Sequence, residues 1–257
     1  MKRNFIWCNA SCFVVGLLAC TLSAQDETPR QLLGRAAEQV SRGDSKQAVE
    51  LATKAIEADP KYADAHYLRG RERFRLGQIE GSVTDFDKYV ALEPTQESRQ
   101  WERGIAYYYA GRFEKGAKQF ELYQTFHDND VENSVWRYLC VARSEGVEKA
   151  RQTILPIEND RRVPMMQVFD LYRGKLKPED VLKAARAGET DEETLAGRMF
   201  YADLYLGLYY EANSNTELAK KHIFAAAASD KPNRLVNRYM WDVARIHAEQ
   251  LKAKQGK

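Results

Sequence analysis

From Pro29 onward, apolar residues recur at intervals of three and four, the spacing that lines one face of an α-helix. Leu32, Leu33, Ala36, Ala37 and Val40 form the first such stripe. The polar turn Ser41-Arg42-Gly43-Asp44 follows, and Ala48, Ala52 and Ala55 then line a second, thin helix that ends before Pro60. The same plan returns over Ala63–Pro94, where Gly70 and Ser82 hold small positions, Gly77 sits in the turn and Phe86 supplies bulk. A third copy runs from Glu97 to Asp128 with Gly104, Gly111, Gly116, Phe120 and Tyr123. One constant step leads from Ala36 to Gly70 to Gly104, and the same step leads from Gly43 to Gly77 to Gly111.

Beyond Asp128 the register decays. Helices are expected over Trp136–Ala142, Val147–Leu155, Met165–Tyr172 and Pro178–Ala187, with a break at Pro156–Pro164. Pro178-Glu179-Asp180 places a proline and two acids in a first turn, where they suit a helix start. The pattern returns near Phe200, with Gly207 and Ala219 at the small positions and Tyr210 after them. A final helix, Arg234 to about Leu251, turns Tyr239, Met240, Val243 and Ile246 toward the preceding helices. It reads as a solubilising cap.

Small residues at two fixed places in a helix–turn–helix unit of roughly 34 residues resemble the tetratricopeptide (TPR) repeat. The implied fold is all-α: a right-handed superhelical solenoid of TPR helix hairpins with a degenerate middle and a C-terminal capping helix. The divisions are three regular repeats over 29–128, degenerate helical repeats over 131–190, and a C-terminal repeat with its cap over 194–252. Repeat arrays of this kind mostly bind other chains, because stacking creates long surfaces rather than closed sites.

The segment Met1–Ala24 differs in character. Lys2 and Arg3 precede the apolar run Cys12–Ala19, and Leu22-Ser23-Ala24 supplies a small-residue end, the order of a secretory signal peptide. The run is short for a membrane span. Leu17-Leu18-Ala19-Cys20 also resembles a bacterial lipobox, with Cys20 as the lipidated first residue; cleavage after Ala24 is the other route. Both place the folded part outside the cytoplasm, in the periplasm or tethered to the outer membrane.

Charge excludes one class of partner. The chain has 39 Lys and Arg against 37 Asp and Glu, but Lys2 and Arg3 lie in the acid-free segment Met1–Ala24, and without them the two signs balance. General binding to nucleic acid needs a basic surplus that this balance lacks. Cys8, Cys12 and Cys20 also belong to the leading segment, so Cys140 stands alone in the body and can form no internal disulfide. It reads as a small buried hydrophobe rather than a reactive thiol.

Catalytic signals are weak. His66, His127, His222 and His247 show no metal-ligand spacing, and no phosphate-cradling loop or nucleophile elbow occurs. The expectation is a protein with no enzyme activity, cofactor or metal.

The order Val135-Trp136-Arg137-Tyr138-Leu139, Phe169-Asp170-Leu171-Tyr172-Arg173-Gly174, then Phe200-Tyr201-Ala202-Asp203-Leu204-Tyr205-Leu206-Gly207-Leu208-Tyr209-Tyr210 is similar to NlpI-like bacterial lipoproteins. That resemblance implies a periplasmic adaptor that brings a processing protease or peptidoglycan hydrolases to their targets, and a homodimer. TPR geometry places Asp64, Tyr67, Arg71, Phe74 and Arg75 of the second repeat in a concave groove, with Ser98, Trp101, Ile105, Tyr108 and Tyr109 of the third. Rings offer rigid contact area and guanidinium groups bind carboxylates in pairs, which suits an extended peptide. Inter-helix packing is the other reading of the same rings. The second function considered is a structural subunit of an outer-membrane or secretion assembly that uses the convex face.

Overall fold

The computed structural model describes residues 27–188, 191–228 and 234–255. The expected signal segment, with Cys20, lies outside them. Among the described residues the regular structure is entirely helical. Thirteen α-helices follow in order: α1 Pro29–Arg42, α2 Ser45–Ala58, α3 Ala63–Arg75, α4 Ile79–Leu92, α5 Trp101–Tyr109, α6 Phe113–Gln124, α7 Val131–Glu145, α8 Val147–Gln152, α9 Met165–Tyr172, α10 Pro178–Ala185, α11 Glu192–Ala212, α12 Thr216–Ala226 and α13 Arg238–Gln255. Helices packed against their chain neighbours make up most of the fold.

Local chemistry sets the ends. Thr28 caps α1 in a reciprocal pair with Gln31, and Pro29 takes the first helical position, where its missing N–H costs nothing. Asp44, Asp130, Asp191 and Asn215 each accept a backbone N–H at the start of α2, α7, α11 and α12. Gly43, Gly77 and Gly111, evenly spaced along the chain, adopt φ of +82°, +73° and +71°. Each ends a first helix, and the residue after it donates to a carbonyl five positions back: Asp44 to Gln39, Gln78 to Arg73 and Arg112 to Tyr107, at 2.8–2.9 Å.

The turn that follows α11 has the same form with Ser214 where glycine would stand, at φ +62°, and Asn215 donates to Tyr210 O at 2.8 Å. A side chain in this left-handed region costs about 1–2 kcal/mol. Ser214→Gly is therefore expected to stabilise the protein by about 1 kcal/mol, read as a shift in urea midpoint at constant slope. No gain would mean that the turn is not under strain.

The hairpins close on their small residues. A Cβ at Gly70 would lie 3.3 Å from the Phe86 ring, at Gly104 2.7 Å from Phe120, and at Gly207 2.6 Å from Ile223. Arg103 and Gly104 meet Gln119 and Phe120, while Tyr107 meets Gly116, so α5 and α6 run antiparallel. Gly116 in turn lies against Cys140 of α7, whose thiol burial pushes well above its ordinary range. Since Phe120 is fully buried, Gly104→Ala is expected to cost about 1–3 kcal/mol by overpacking, against the roughly 1 kcal/mol that alanine gains in an open helix. Thermal unfolding of the variant checks the sign.

A second correspondence ties the last hairpin to the second. His66 of α3 faces Asp85 of α4, with Nδ1 at 3.5 Å from Oδ1. The places equivalent to these, counted from Gly70 to Gly207, hold Asp203 on α11 and His222 on α12, paired at 2.7 Å. The same His–Asp pair recurs with its members exchanged. Asp85 also takes Arg69 and Arg73, which crosslinks the hairpin a second time.

Three element boundaries differ from expectation. A 3-10 turn covers Pro94–Arg99, so the first helix of the third hairpin starts at Trp101 rather than Glu97. Glu97 is held back toward α6: its carbonyl accepts Gln119 Nε2 at 2.8 Å, and its carboxylate takes Arg103 at 2.9 Å. Helix α8 stops at Gln152, because Arg137 takes the backbone carbonyl and the hydroxyl of Thr153. The last helix begins at Arg238, where Asn237 accepts the Tyr239 N–H at 2.9 Å.

Helix α13 also corrects the picture of a cap. A cap needs a polar outer face, yet Tyr239, Met240, Val243, Ala244, Ile246, Ala248 and Leu251 are buried together with Asp242 and His247. A helix buried on most of its circumference is a core element. It packs on α12 and reaches back to α3.

Candidate partner-binding groove

The groove expected along α3 and α5 exists as a set of facing side chains, and α13 occupies much of it. Tyr239 stacks on Phe74 of α3, with ring centroids 4.7 Å apart and planes within 18°. It meets Trp101 of α5 edge-on at 5.3 Å. One turn along, Asp242 Oδ2 accepts Arg75 Nε at 2.7 Å, and Arg75 Nη1 donates to Glu72 at 2.8 Å. Two carboxylates from different ends of the chain therefore clasp one largely buried guanidinium, while Arg245 of α13 donates to the Arg75 carbonyl. Farther along, Tyr109 OH lies 3.0 Å from His247 Nδ1, and His247 Nε2 lies 3.1 Å from Glu211 of α11.

These contacts, with the burial around them, decide the roles of seven of the ten expected groove residues. Arg75, Trp101 and Tyr109 hold α13. Tyr108 is buried against Phe113 and Trp136, at 5.5 and 5.3 Å, and belongs to the core between hairpins. Tyr67 and Arg71 are half-buried, and Asp64 is exposed on the first turn of α3. The open peptide groove read from the sequence is thus closed over its middle by a segment of the same chain.

Glu102 was not singled out in the sequence, and it is the hub of what remains. Tyr67 OH donates to its Oε2 at 2.6 Å, and Arg71 Nε lies 3.0 Å from Oε1. Burial pushes the Glu102 carboxyl up, and the Arg71 charge and the Tyr67 hydroxyl oppose that push. Burial likewise raises the Tyr67 and Tyr239 phenols well above their usual range, with the Glu102 charge adding in each case. The Arg71 guanidinium also lies over both rings, 5.7 Å from Tyr67 and 5.9 Å from Tyr239. The available signal was an acid inside an aromatic stripe, directly after Trp101.

Beside this hub a cleft of about 250 Å³ remains open between α1 and α3. Ala37 and Val40 form one wall, and Tyr67, Leu68, Arg71 and Glu72 form the other. Apolar walls edged by a few polar groups suit a single anchoring side chain of a bound segment. Among the described residues no group of three or more His, Cys, Asp and Glu is placed to hold a metal ion, and no helix is long and apolar enough to cross a membrane. No family model matches the sequence.

Proposed function

We propose that this chain is a TPR-type array, coiled as a right-handed superhelix, which acts outside the cytoplasm as a non-enzymatic adaptor that holds a segment of a partner protein. The observation that carries the reading is the recurring hairpin: a small residue pressed on a ring or branched side chain, with a left-handed turn returning at a constant interval. That geometry supports a repeat array, and repeat arrays present extended surfaces for protein partners. The α1–α3 cleft is the place on this array where an apolar anchor fits. The likeness to NlpI-like lipoproteins suggests the partner class, a periplasmic protease or peptidoglycan hydrolases.

Arg71 and Trp101 are poor probes of this reading, since one is paired with Glu102 and the other packs on Tyr239. Val40→Glu and Leu68→Glu alter the cleft wall without touching those contacts. The test is in-cell crosslinking of the tagged chain, followed by binding of the purified protease or hydrolase it captures. Both variants are expected to lose that partner, and Phe126→Ser, which removes an exposed ring beyond the end of α6, to retain it. A stable outer-membrane assembly that survives both cleft variants would overturn the adaptor reading in favour of a scaffold. The mass of the mature amino terminus separates a lipidated Cys20 from cleavage after Ala24.

A further inference from the structure

A second cavity, of about 160 Å³, opens where α5, α6 and α7 meet the 160–162 loop and the start of α13. Its walls are aromatic and acidic: Trp101, Tyr123 and Trp136 with Asp130, Glu132 and Asn133. Arg162 also lines it and is already spent. It donates to Asp130 at 2.6 Å, to Asp160 at 2.6 and 3.0 Å, and to Glu132. Three carboxylates thus share one guanidinium, and two of them, Asp130 and Glu132, line the cavity with it, so its walls hold more acid than base.

Two of the residues that line it each carry a polar atom with no hydrogen-bond partner among the described residues. Asn133 uses its amide hydrogens on Phe120 O and Gln124 Oε1, at 3.1 and 2.9 Å, which leaves Oδ1 buried without a donor. Trp136 Nε1 is buried without an acceptor. Both residues are at most 2% exposed. A buried acceptor left unsatisfied destabilises the folded chain unless something supplies a hydrogen. A cavity on the order of 150 Å³ admits a group the size of a benzene ring.

We propose that this cavity binds an organic cation, an ammonium or guanidinium group on a short stem. The cation donates to Asn133 Oδ1, lies against the Trp101 and Tyr123 rings, and neutralises the surplus of Asp130 and Glu132. An oxygen on the stem, or a water, meets Trp136 Nε1. The same chemistry is offered by a free amine and by the lysine or arginine side chain of a peptide.

Titration behaviour agrees with this placement. Burial pushes the Glu132 carboxyl up to about 7, and the neighbouring Asp130 charge adds to the effect, against Arg162 and the Tyr205 hydroxyl. Asp160 is also desolvated, but its bonds from Arg162 outweigh burial and hold it below the usual range. Tyr123 of α6 and Tyr201 of α11 are the other titratable groups that feel these charges, and burial raises both. A bound cation favours ionised Glu132. Binding near pH 7 should therefore release protons, and affinity should rise about tenfold from pH 6 to pH 8 as the carboxyl ionises.

Calorimetry on the full mature chain tests this with methylguanidinium chloride, matched in ionic strength by sodium chloride, and with the tripeptide amide Gly-Arg-Gly. The expected result is saturable one-to-one binding of methylguanidinium that strengthens with pH. Tighter binding of the tripeptide identifies a peptide side chain as the source, and equal binding identifies a free cation. Asp130→Asn keeps an N-cap residue for α7 and is expected to weaken binding at least fivefold. If that variant unfolds, Tyr123→Leu, which removes one aromatic wall, must weaken it instead. Absence of saturable binding, affinity that falls as pH rises, or unchanged affinity in the folded variant overturns the proposal.

Discussion

Tyr239→Ala is expected to lower the free energy of unfolding by about 3–5 kcal/mol, the usual cost of deleting a buried aromatic ring. The ring is 2% exposed and sits between Phe74 and Trp101, so its removal opens a void that two helices from distant parts of the chain would have to collapse to fill. Tyr239→Phe is the control. The hydroxyl lies 3.5 Å from the Glu102 carbonyl, at the limit of a hydrogen bond, so its loss should cost less than about 1 kcal/mol. Urea unfolding of the pair separates ring from hydroxyl. A small effect of the alanine variant would show that α13 is not part of the cooperative core.

Asp242→Ala is expected to cost a similar amount, about 3–5 kcal/mol, for an electrostatic reason. Asp242 is 1% exposed and its carboxylate receives Arg75 Nε at 2.7 Å. Removing it leaves a largely buried guanidinium with Glu72 alone. Most of the penalty comes from the stranded charge rather than from the lost attraction, so Arg75→Met combined with Asp242→Leu should recover much of it. A double-mutant cycle measured by denaturant unfolding checks this. Additive losses, with no recovery in the double variant, would refute the account.

Legibility in the sequence followed the distance over which the physics acts. Gly70 against Phe86 and Gly104 against Phe120 were visible because both partners lie in one hairpin and the spacing repeats from one hairpin to the next. The turn at Ser214 could be placed from Gly207 by the same count, although its side chain gave no hint of a left-handed backbone. Helix α13 was recognisable as a helix with Tyr239, Met240, Val243 and Ile246 facing inward. Its position was not legible, because Tyr239 and Asp242 find their partners at Glu102 and Arg75, far back in the chain, and periodicity carries no information about them. For the same reason Arg75, Trp101 and Tyr109 read as a surface for a foreign peptide: a groove residue and a residue that grips a helix of its own chain have the same composition. Glu102 and the Asp130–Glu132–Asp160–Arg162 cluster depend on tertiary proximity throughout.

An open array of hairpins behaves as a one-dimensional chain, in which end units fray and each neighbour adds its own stability. Helix α13 makes this molecule a closed loop. It joins Arg75 to Asp242 across 167 positions and Tyr109 to His247 across 138, so the final helix of the chain completes the packing of the third and fifth. Because chains are made from the amino terminus, α3 and α5 emerge first and carry the Phe74–Trp101 face uncovered until α13 arrives. Long-range closure of this kind slows folding relative to local hairpin formation and leaves an apolar face exposed in the interval. The α3–α5 face is thus where an unfinished chain needs protection, and a finished one has it built in.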